Sequence, residues 1–554
     1  MLITQGANTP VVVETDICVI GAGAAGITFA REFIDLPVRV TLLESGQFTY
    51  DDSAQRLAAG EVDSYYFDKD AIAEGRRKQF GGTTNMWVYT ADPDDGRRYA
   101  RCLPPEEIDL APCTGQSSAC WPVTLEDLDP FFRRAQSVWN GGPFDYAANN
   151  WSSDTAQPID TPDGVLITRI CQHGPRDVFA VRYRDDLLSA ANVDIYLGCT
   201  GLALDADSAP GRAQSLSVAR GNGERFSVAA KLFVVAGGGV ENSQLLLSSA
   251  LTRPGAVGNR HDNVGRYVTS HPEFRMGTID PSRHELFDEI GLYDLHWVGR
   301  HMVSGFLTIA EDVKRSENLL NMSVGLIPRG RTFGTETHLA MASLSAAVRR
   351  KERESNLFGH LRPLLRSPRD ATSAFLESRH RYYEEWRGGW SQQEADRRRY
   401  ETIELWAAPE QTAERDNKLS LSDTRDALGR QRIKLDWRWS QGDRDNIDRS
   451  IAIFGSQIEA AGIGRFHRWS GFLGPSRPRQ PGFHHQMGGT RMHVDPALGV
   501  LDENCLVHGL TNVYLAGSSV FPTGLGYANP TLTLLSLTLR LADHVKSKLG
   551  VAYS

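Results

Sequence analysis

Near its C-terminus the chain reads HHQMGGTRMHVDPALGV over residues 484–500, and 44 residues beyond the second histidine comes GYANPTLT. Two histidines against a Gly-Gly-Thr turn offer imidazoles, whose ordinary pKa near ~6.5 lets them exchange a proton around neutral pH. Asn529 in the second stretch offers a carboxamide, which hydrogen-bonds a hydroxyl without competing for its proton. Together such groups suit the oxidation of an alcohol, in which a proton leaves oxygen and a hydride leaves carbon. A lone histidine is as ordinary in a buried structural role. The assignment therefore needs a hydride acceptor elsewhere in the chain.

The N-terminus supplies the elements for one. VVVETDICVI (residues 11–20) reads as a strand, GAGAAG follows it, ITFAREFI has helical character, and VRVTLLES forms a second strand that includes Glu44. In that order Gly21 makes a tight turn and Gly23 lets the backbone approach a pyrophosphate beside Ala24, while Gly26 packs helix on strand. Glu44, roughly twenty residues on, is placed to accept hydrogen bonds from an adenosine ribose. This unit predicts dinucleotide binding and does not choose between NAD and FAD.

Two further stretches extend the unit. KLFVVAGGGVENSQLLLSSA (231–250) predicts a buried strand ending at Ala236, a glycine turn at Gly237-Gly238-Gly239, and a helix, although an ordinary crossover of a parallel sheet would read the same way. Before it, NVDIYLGCTGLALDAD (192–207) reads as a strand pair whose backbone near Thr200–Leu202 could meet an adenine edge. Residues 510–545 run strand, Gly517, loop, Asn529 and a long apolar helix that Pro530 is suited to begin, with Thr531 behind it.

With FGGTTNMW (80–87), CWPVTLEDL (120–128), the H-x-x-G-G-T-R-M stretch and N-P-T, this ordering resembles the glucose–methanol–choline (GMC) oxidoreductases. Within them it is similar to the pyranose oxidase and bacterial glycoside 3-oxidase branch. The resemblance implies FAD, held by the glycine turns, by Gly82, Thr83, Asn85 and Met86, and by the Asn529–Thr531 segment. It makes His485 the catalytic histidine and Asn529 its partner over the flavin, with His484 turned into a hydrogen-bonded shell. It also implies oxidation of a secondary ring hydroxyl, at C3 or C2 of a sugar or glycoside, to a ketone, with hydride passing to flavin N5 and oxygen reduced to hydrogen peroxide. A dehydrogenase using a quinone or protein acceptor is the alternative, and a lyase with a structural flavin is a third reading of the scaffold.

Two positions depart from that branch. Met86 stands where pyranose oxidase carries the histidine bound covalently to flavin, so the FAD is expected to be non-covalent. Val88 replaces a threonine hydroxyl near N5, which puts the reactivity toward oxygen in doubt.

The expected fold is α/β, with a discontinuous Rossmann-like FAD domain drawn from 1–95, 190–270 and 480–554. A substrate domain on an antiparallel sheet with flanking helices would take 96–189 and 271–479. RDNKLSLSDTRDALGRQRIKLDW (415–437) predicts a hairpin turning at Asp426 to Gly429, which the resemblance assigns to the sheet flooring the substrate pocket. Residues 347–400, rich in Arg and carrying Tyr382, Tyr383, Trp386 and Trp390, read either as a lid stacking its aromatics on a sugar or as solvated helices.

Composition sets the outer bounds. The 554 residues, 41% of them hydrophobic, suffice for a large core, and 60 basic against 68 acidic side chains exclude bulk nucleic-acid binding. No apolar run approaches the roughly 20 residues that cross a bilayer. The start has no signal-peptide pattern, so a cytoplasmic location is the default expectation. Seven cysteines form no disulfide framework or metal spacing, and Cys102, Cys113 and Cys120 are expected to be buried or incidental thiols without a metal.

Overall fold

A computed structural model describes all residues except 1, 4–10, 92–95, 112–119, 154–155, 208–210, 253–256, 351–356, 380–386, 393–398, 470–481 and 552–554. Its first sheet has eight strands centred on Val12–Ile20, which pairs in parallel with Val40–Glu44 on one side and Arg225–Val235 on the other. The β-branched run ending in CVI is buried between these neighbours, as a parallel strand covered on both faces should be. Val193–Leu197 and Leu2–Ile3 extend one edge, also in parallel. Ala213–Arg220 and Cys199–Ala206 extend the other as an antiparallel meander, and Val513–Leu515 pairs in parallel with Arg225–Val235. The sheet thus collects strands from both ends and the middle of the chain.

Gly21 turns the chain out of the first strand at φ +106°, and a Cβ there would lie 2.6 Å from the Ala236 carbonyl oxygen. The helix Ala24–Arg31 then packs so closely that a Cβ on Gly26 would lie 1.9 Å from the Gly21 oxygen. The C-terminal helix Pro530–Leu549 packs on this helix and on Leu125–Val138.

Among the described residues the second large sheet also has eight strands, all antiparallel, running from Gly464–Arg468 through Phe274–Pro281, Thr402–Pro409, Met322–Arg329, His301–Ile309 and Leu166–Pro175 to Tyr99–Cys102, with His296–Val298 paired beside His301–Ile309. The helix Gln441–Ala460, started by a reciprocal Ser440–Asp443 cap, buries Ile447, Ile451, Phe454 and Ile458 along one stripe. These mixed sheets and helices are the α/β fold expected.

Three expectations change. The hairpin forms, Lys418–Arg425 against Gln431–Asp436, but it joins Glu61–Asp63 in a small separate sheet rather than the large antiparallel one. Its strands pack against the helix Gly239–Thr252, so they belong beside the parallel sheet. Cys120 is disulfide-bonded instead of a free thiol, while Cys102 is buried and free; Cys113 lies outside the described residues. Within 347–400 the described parts include the end of the helix Glu336–Arg350 and the helices Leu357–Arg366 and Pro368–Arg379, whose described side chains are mostly half-buried or exposed. Trp390 is buried beside Tyr400 in the core of the antiparallel sheet, and Tyr382, Tyr383 and Trp386 lie outside the described residues.

No helix among the described residues is long and apolar enough to cross a membrane, and no cluster there could hold a metal ion. The Gly26 contact carries a stability prediction, because backbone cannot yield to a methyl group. Gly26→Ala should lower the unfolding free energy by about 1–3 kcal/mol through overpacking. A urea titration checks it, and an unchanged midpoint would contradict the contact.

Candidate active site

A cavity of about 570 Å³ follows the carboxyl ends of the parallel strands, where Gly21, Glu44 and Ala236 line it. Ala24 at the start of the first helix, Gly23, Gly82, Thr83, Met86, Thr200, Gly237, Gly517, Pro530 and Thr531 line it too. Three expected residues do not. Gly26 is consumed in packing helix on strand, as its predicted role requires. Asn85 turns its amide onto the carbonyls of Phe80 and Gly82 and so holds the Gly82–Met86 turn from behind. Leu202 packs with Leu57, Ala219 and Leu428, and Gly201 takes its place at the cavity wall.

The cavity fits a dinucleotide where glycines leave room. A Cβ on Gly23 would find its nearest neighbour, Gly82 Cα, at 4.0 Å, and one on Gly517 would meet only Gly238 Cα at 4.0 Å. Backbone N–H groups at such turns and at a helix N-terminus suit an anionic pyrophosphate. Glu44 accepts from the N–H groups of Ala22 at 2.9 Å and Gly46 at 2.8 Å, which fixes its carboxylate toward the cavity. Burial pushes its carboxyl upward despite those two bonds.

Sequence reasoning missed a charged group at the same wall. Glu241 pairs with Arg76 at 2.5 Å and with Lys78 at 2.6 Å, all three buried or nearly so. Burial pushes the Glu241 carboxyl up, yet Arg76 and Lys78 outweigh it and hold the group well below the usual carboxylate range. Their separation in sequence leaves no spacing to read.

At the other end lie His485 and Asn529, 3.1 Å apart between Nε2 and Nδ2. The Gly-Gly-Thr turn explains the placement of the histidine. Gly488 at φ +74° and Gly489 at φ +90° let residues 487–490 run directly against Tyr267 and Arg266, and a Cβ on Gly488 would lie 2.1 Å from the Tyr267 oxygen. Asn529 sits at the N-cap of the last helix, yet its side chain makes no capping bond. Its Oδ1 instead accepts from Arg101 Nε at 2.9 Å, and Arg101 comes from the edge strand of the antiparallel sheet. The site therefore lies between the two large sheets.

His271 is the second residue the sequence did not announce. Its Nδ1 lies 3.1 Å from His485 Nδ1, and its Nε2 donates to the Gly524 carbonyl at 2.6 Å. Burial is the main cause that lowers the His485 pKa well below 6.5, with His271, Arg101 and His484 adding to it. Burial likewise pushes His271 down to about 4. His484 does not turn into a hydrogen-bonded shell as expected; it is exposed and lines the same cavity. Val88 lines it as well, at 45% exposure.

Two family models, both described as GMC oxidoreductase, match residues 143–273 and 413–538, so His271 falls in the N-terminal match and His485 and Asn529 in the C-terminal one. A 6'''-hydroxyparomomycin C oxidase from Streptomyces lividus is 24% identical, over 97% of this chain and 92% of the relative. Among solved structures, a pyridoxine 4-oxidase from Mesorbium loti superimposes with a TM-score of 0.51 at 14% identity, covering 96% of this chain and 99% of that one. A formate oxidase gives the same score and identity over 98% and 99% of the two chains. These two likenesses speak to the fold.

A group whose pKa is lowered stays neutral to lower pH than usual. The His485 ring should therefore keep its lone pair through pH 6.5 and protonate only below it. Histidine-selective ¹⁵N spectra between pH 8 and 5 check this, and a midpoint at or above 6.5 would contradict the burial seen here.

Proposed function

Because the chain belongs to the GMC oxidoreductase family, whose members are FAD-dependent flavoproteins, we propose that it oxidises a secondary ring hydroxyl of a sugar or glycoside, at C3 or C2, to a ketone. The observation that carries the reading is the facing of His485 Nε2 and Asn529 Nδ2 across 3.1 Å at one end of the cavity. The aminoglycoside oxidase among the relatives supports a sugar-like substrate.

The FAD would lie along Gly21, Gly23, Glu44, Thr200 and Gly517, in a discontinuous domain of 1–95, 190–270 and 480–554, with 96–189 and 271–479 holding the substrate. Bound there, it would take the hydride from the carbinol carbon and pass two electrons to oxygen, giving hydrogen peroxide. His485 accepts the hydroxyl proton at Nε2, which burial keeps unprotonated at neutral pH. Asn529 donates its amide N–H to the same hydroxyl oxygen and so fixes the direction of the C–H bond. Arg101 holds the amide with its nitrogen toward the substrate, since a guanidinium demands the amide oxygen for itself.

One observation favours a second reading. Val88 brings only carbon to the wall where a hydroxyl would help oxygen, which suits a quinone or protein acceptor. Stopped-flow re-oxidation of the reduced enzyme in air separates the two.

Under anaerobic conditions, D-glucose and a set of aryl glycosides should bleach the flavin of the wild type. His485→Ala should slow that step on the order of 10²–10⁴-fold, and Asn529→Ala about 10²-fold through misorientation. Reduction of His485→Ala at the wild-type rate would reject the assignment, and a flavin left oxidised by every sugar would point to a lyase.

The side chain of Met86 at the cavity wall cannot form the covalent bond a histidine forms there. Acid precipitation should release all yellow colour to the supernatant, and colour retained in the pellet would overturn non-covalent binding.

A further inference from the structure

We propose that His271 is a positioning residue that, together with the Asn529 amide on the opposite side of the ring, sets the tautomer of His485, so that the ring nitrogen facing Asn529 carries the lone pair. The inference rests on the reading of His485 as the proton acceptor, and it goes beyond it in saying why the correct nitrogen is free.

The argument begins from two groups whose hydrogen-bonding sense cannot be reversed. Arg101 only donates, so the atom of Asn529 at 2.9 Å from its Nε is the amide oxygen. The amide nitrogen then faces His485 Nε2 at 3.1 Å and donates to it, which requires a lone pair on Nε2. A neutral imidazole with Nε2 bare carries its proton on Nδ1. That proton points at His271 Nδ1, 3.1 Å away, which must in turn be bare. His271 is then protonated on Nε2 and donates to the Gly524 carbonyl at 2.6 Å, a group that only accepts. Four bonds in series, fixed at both ends, admit one arrangement of protons.

The backbone explains why these two rings meet. Thr269 and Met487 form an antiparallel bridge through Thr269 N–H to Met487 O at 3.0 Å and Met487 N–H to Thr269 O at 3.1 Å. Two residues forward on one segment and two back on the other, 271 and 485 are the next facing pair, on the same side of the ladder. The rings stand nearly perpendicular, at 86°, which aims one Nδ1 at the other. His271 is buried at the wall of the cavity.

The charged and titratable groups facing His485 are His271, Arg101 and His484, and Arg101 also faces His271, whose Nε2 side is held by the Gly524 and Gly526 backbone. Among the described residues none of these groups is a carboxylate, so none of them favours the charged form of His485. A second proton on His271 would set N–H against N–H across the 3.1 Å gap to His485, and a second proton on His485 would set its Nε2–H against the Asn529 amide N–H, also at 3.1 Å.

The test reads tautomers directly and does not depend on turnover. With ¹⁵N-histidine in the flavin-loaded protein, His485 should show Nδ1 protonated and Nε2 bare at pH 7 in the wild type. His271→Ala removes the acceptor of the Nδ1 proton and leaves the Asn529 amide as the one group holding Nε2 bare, so the second tautomer should become populated at His485. His271→Asn should restore the wild-type tautomer, because its amide oxygen can accept from Nδ1. His271→Asp places a carboxylate there, which favours the imidazolium. The acidic limb of the rate of anaerobic flavin reduction by D-glucose or phenyl β-D-glucoside should then move to higher pH. In the same assay His271→Ala should lose 10- to 100-fold in the limiting rate with its half-saturating sugar concentration unchanged. A wild-type tautomer retained in His271→Ala, or an acidic limb unmoved in His271→Asp, would overturn the proposal. Should His271→Ala fail to fold, the Asn and Asp variants decide it alone. His485→Ala separates the two levels: if it reduces flavin at the wild-type rate, the underlying reading falls and this inference with it. If it is slow while all His271 variants match the wild type, only the tautomer assignment falls.

Discussion

A guanidinium can only donate hydrogen bonds and a backbone carbonyl can only accept them, and at this site the two stand at opposite ends of one series. Between Arg101 and Gly524 lie an amide and two imidazoles, each able to present either polarity on its own. Fixing both ends removes that freedom. The low dielectric around buried rings strengthens each bond in the series and makes a reversed one costly. The members come from an edge strand of the antiparallel sheet, a loop leading into that sheet, the glycine turn after it and the start of the last helix. No local segment could build the series alone. The packing of one sheet against the other is therefore part of the proposed chemistry.

The cavity divides its charges accordingly. At the end near Glu44, Arg76 and Lys78 bracket Glu241 in a buried trio, and removing one partner of such a group typically costs about 3–5 kcal/mol because a charge is left uncompensated. At the other end the imidazoles are held neutral, and the Arg101 charge is turned onto an amide oxygen. A fixed cationic wall suits a dinucleotide that carries phosphate charge. A proton acceptor needs the reverse, a site where its own charge is not yet present and can form only in step with the substrate's. Keeping the two ends apart lets one cavity satisfy both demands.

What the sequence could disclose follows from the range of the interactions involved. The glycine turn at 21–26 was legible because Gly21 and Gly26 answer contacts within a few residues or with the adjacent strand end at Ala236, while Gly23 between them is left open toward the cavity. Glu44 and the Pro530 helix start were legible for the same reason. Leu202 lies one residue past the cavity wall, which Cys199, Thr200 and Gly201 form where the strand begins, and it packs instead on Leu57, Ala219 and Leu428. The hairpin was readable as a hairpin, but its sheet was not, since that depends on pairing Lys434–Asp436 with Glu61–Asp63 far away in the chain. His271 and Arg101 were invisible. Their positions come from a bridge between residues 269 and 487 and from a contact spanning residues 101 and 529, and no spacing in one strand of text encodes either.

Asn529 shows how the fold accommodates the site at a cost to local order. Asparagine is among the preferred N-cap residues because its side chain can accept from the first free N–H groups of the helix, a bond typically worth about 1 kcal/mol. Here that oxygen is spoken for by Arg101, and the helix starts without a side-chain cap. Proline at the first position removes one N–H that would otherwise need a partner and presets the backbone angle. Buried Leu532, Leu535, Leu539 and Ala542 then tie the twenty-residue helix to the core, so its formation does not rest on its first turn. A helix end stabilised from its body leaves its cap residue free for other use. That is the physical reason an N-P-T start can present a carboxamide to a cavity rather than to its own backbone.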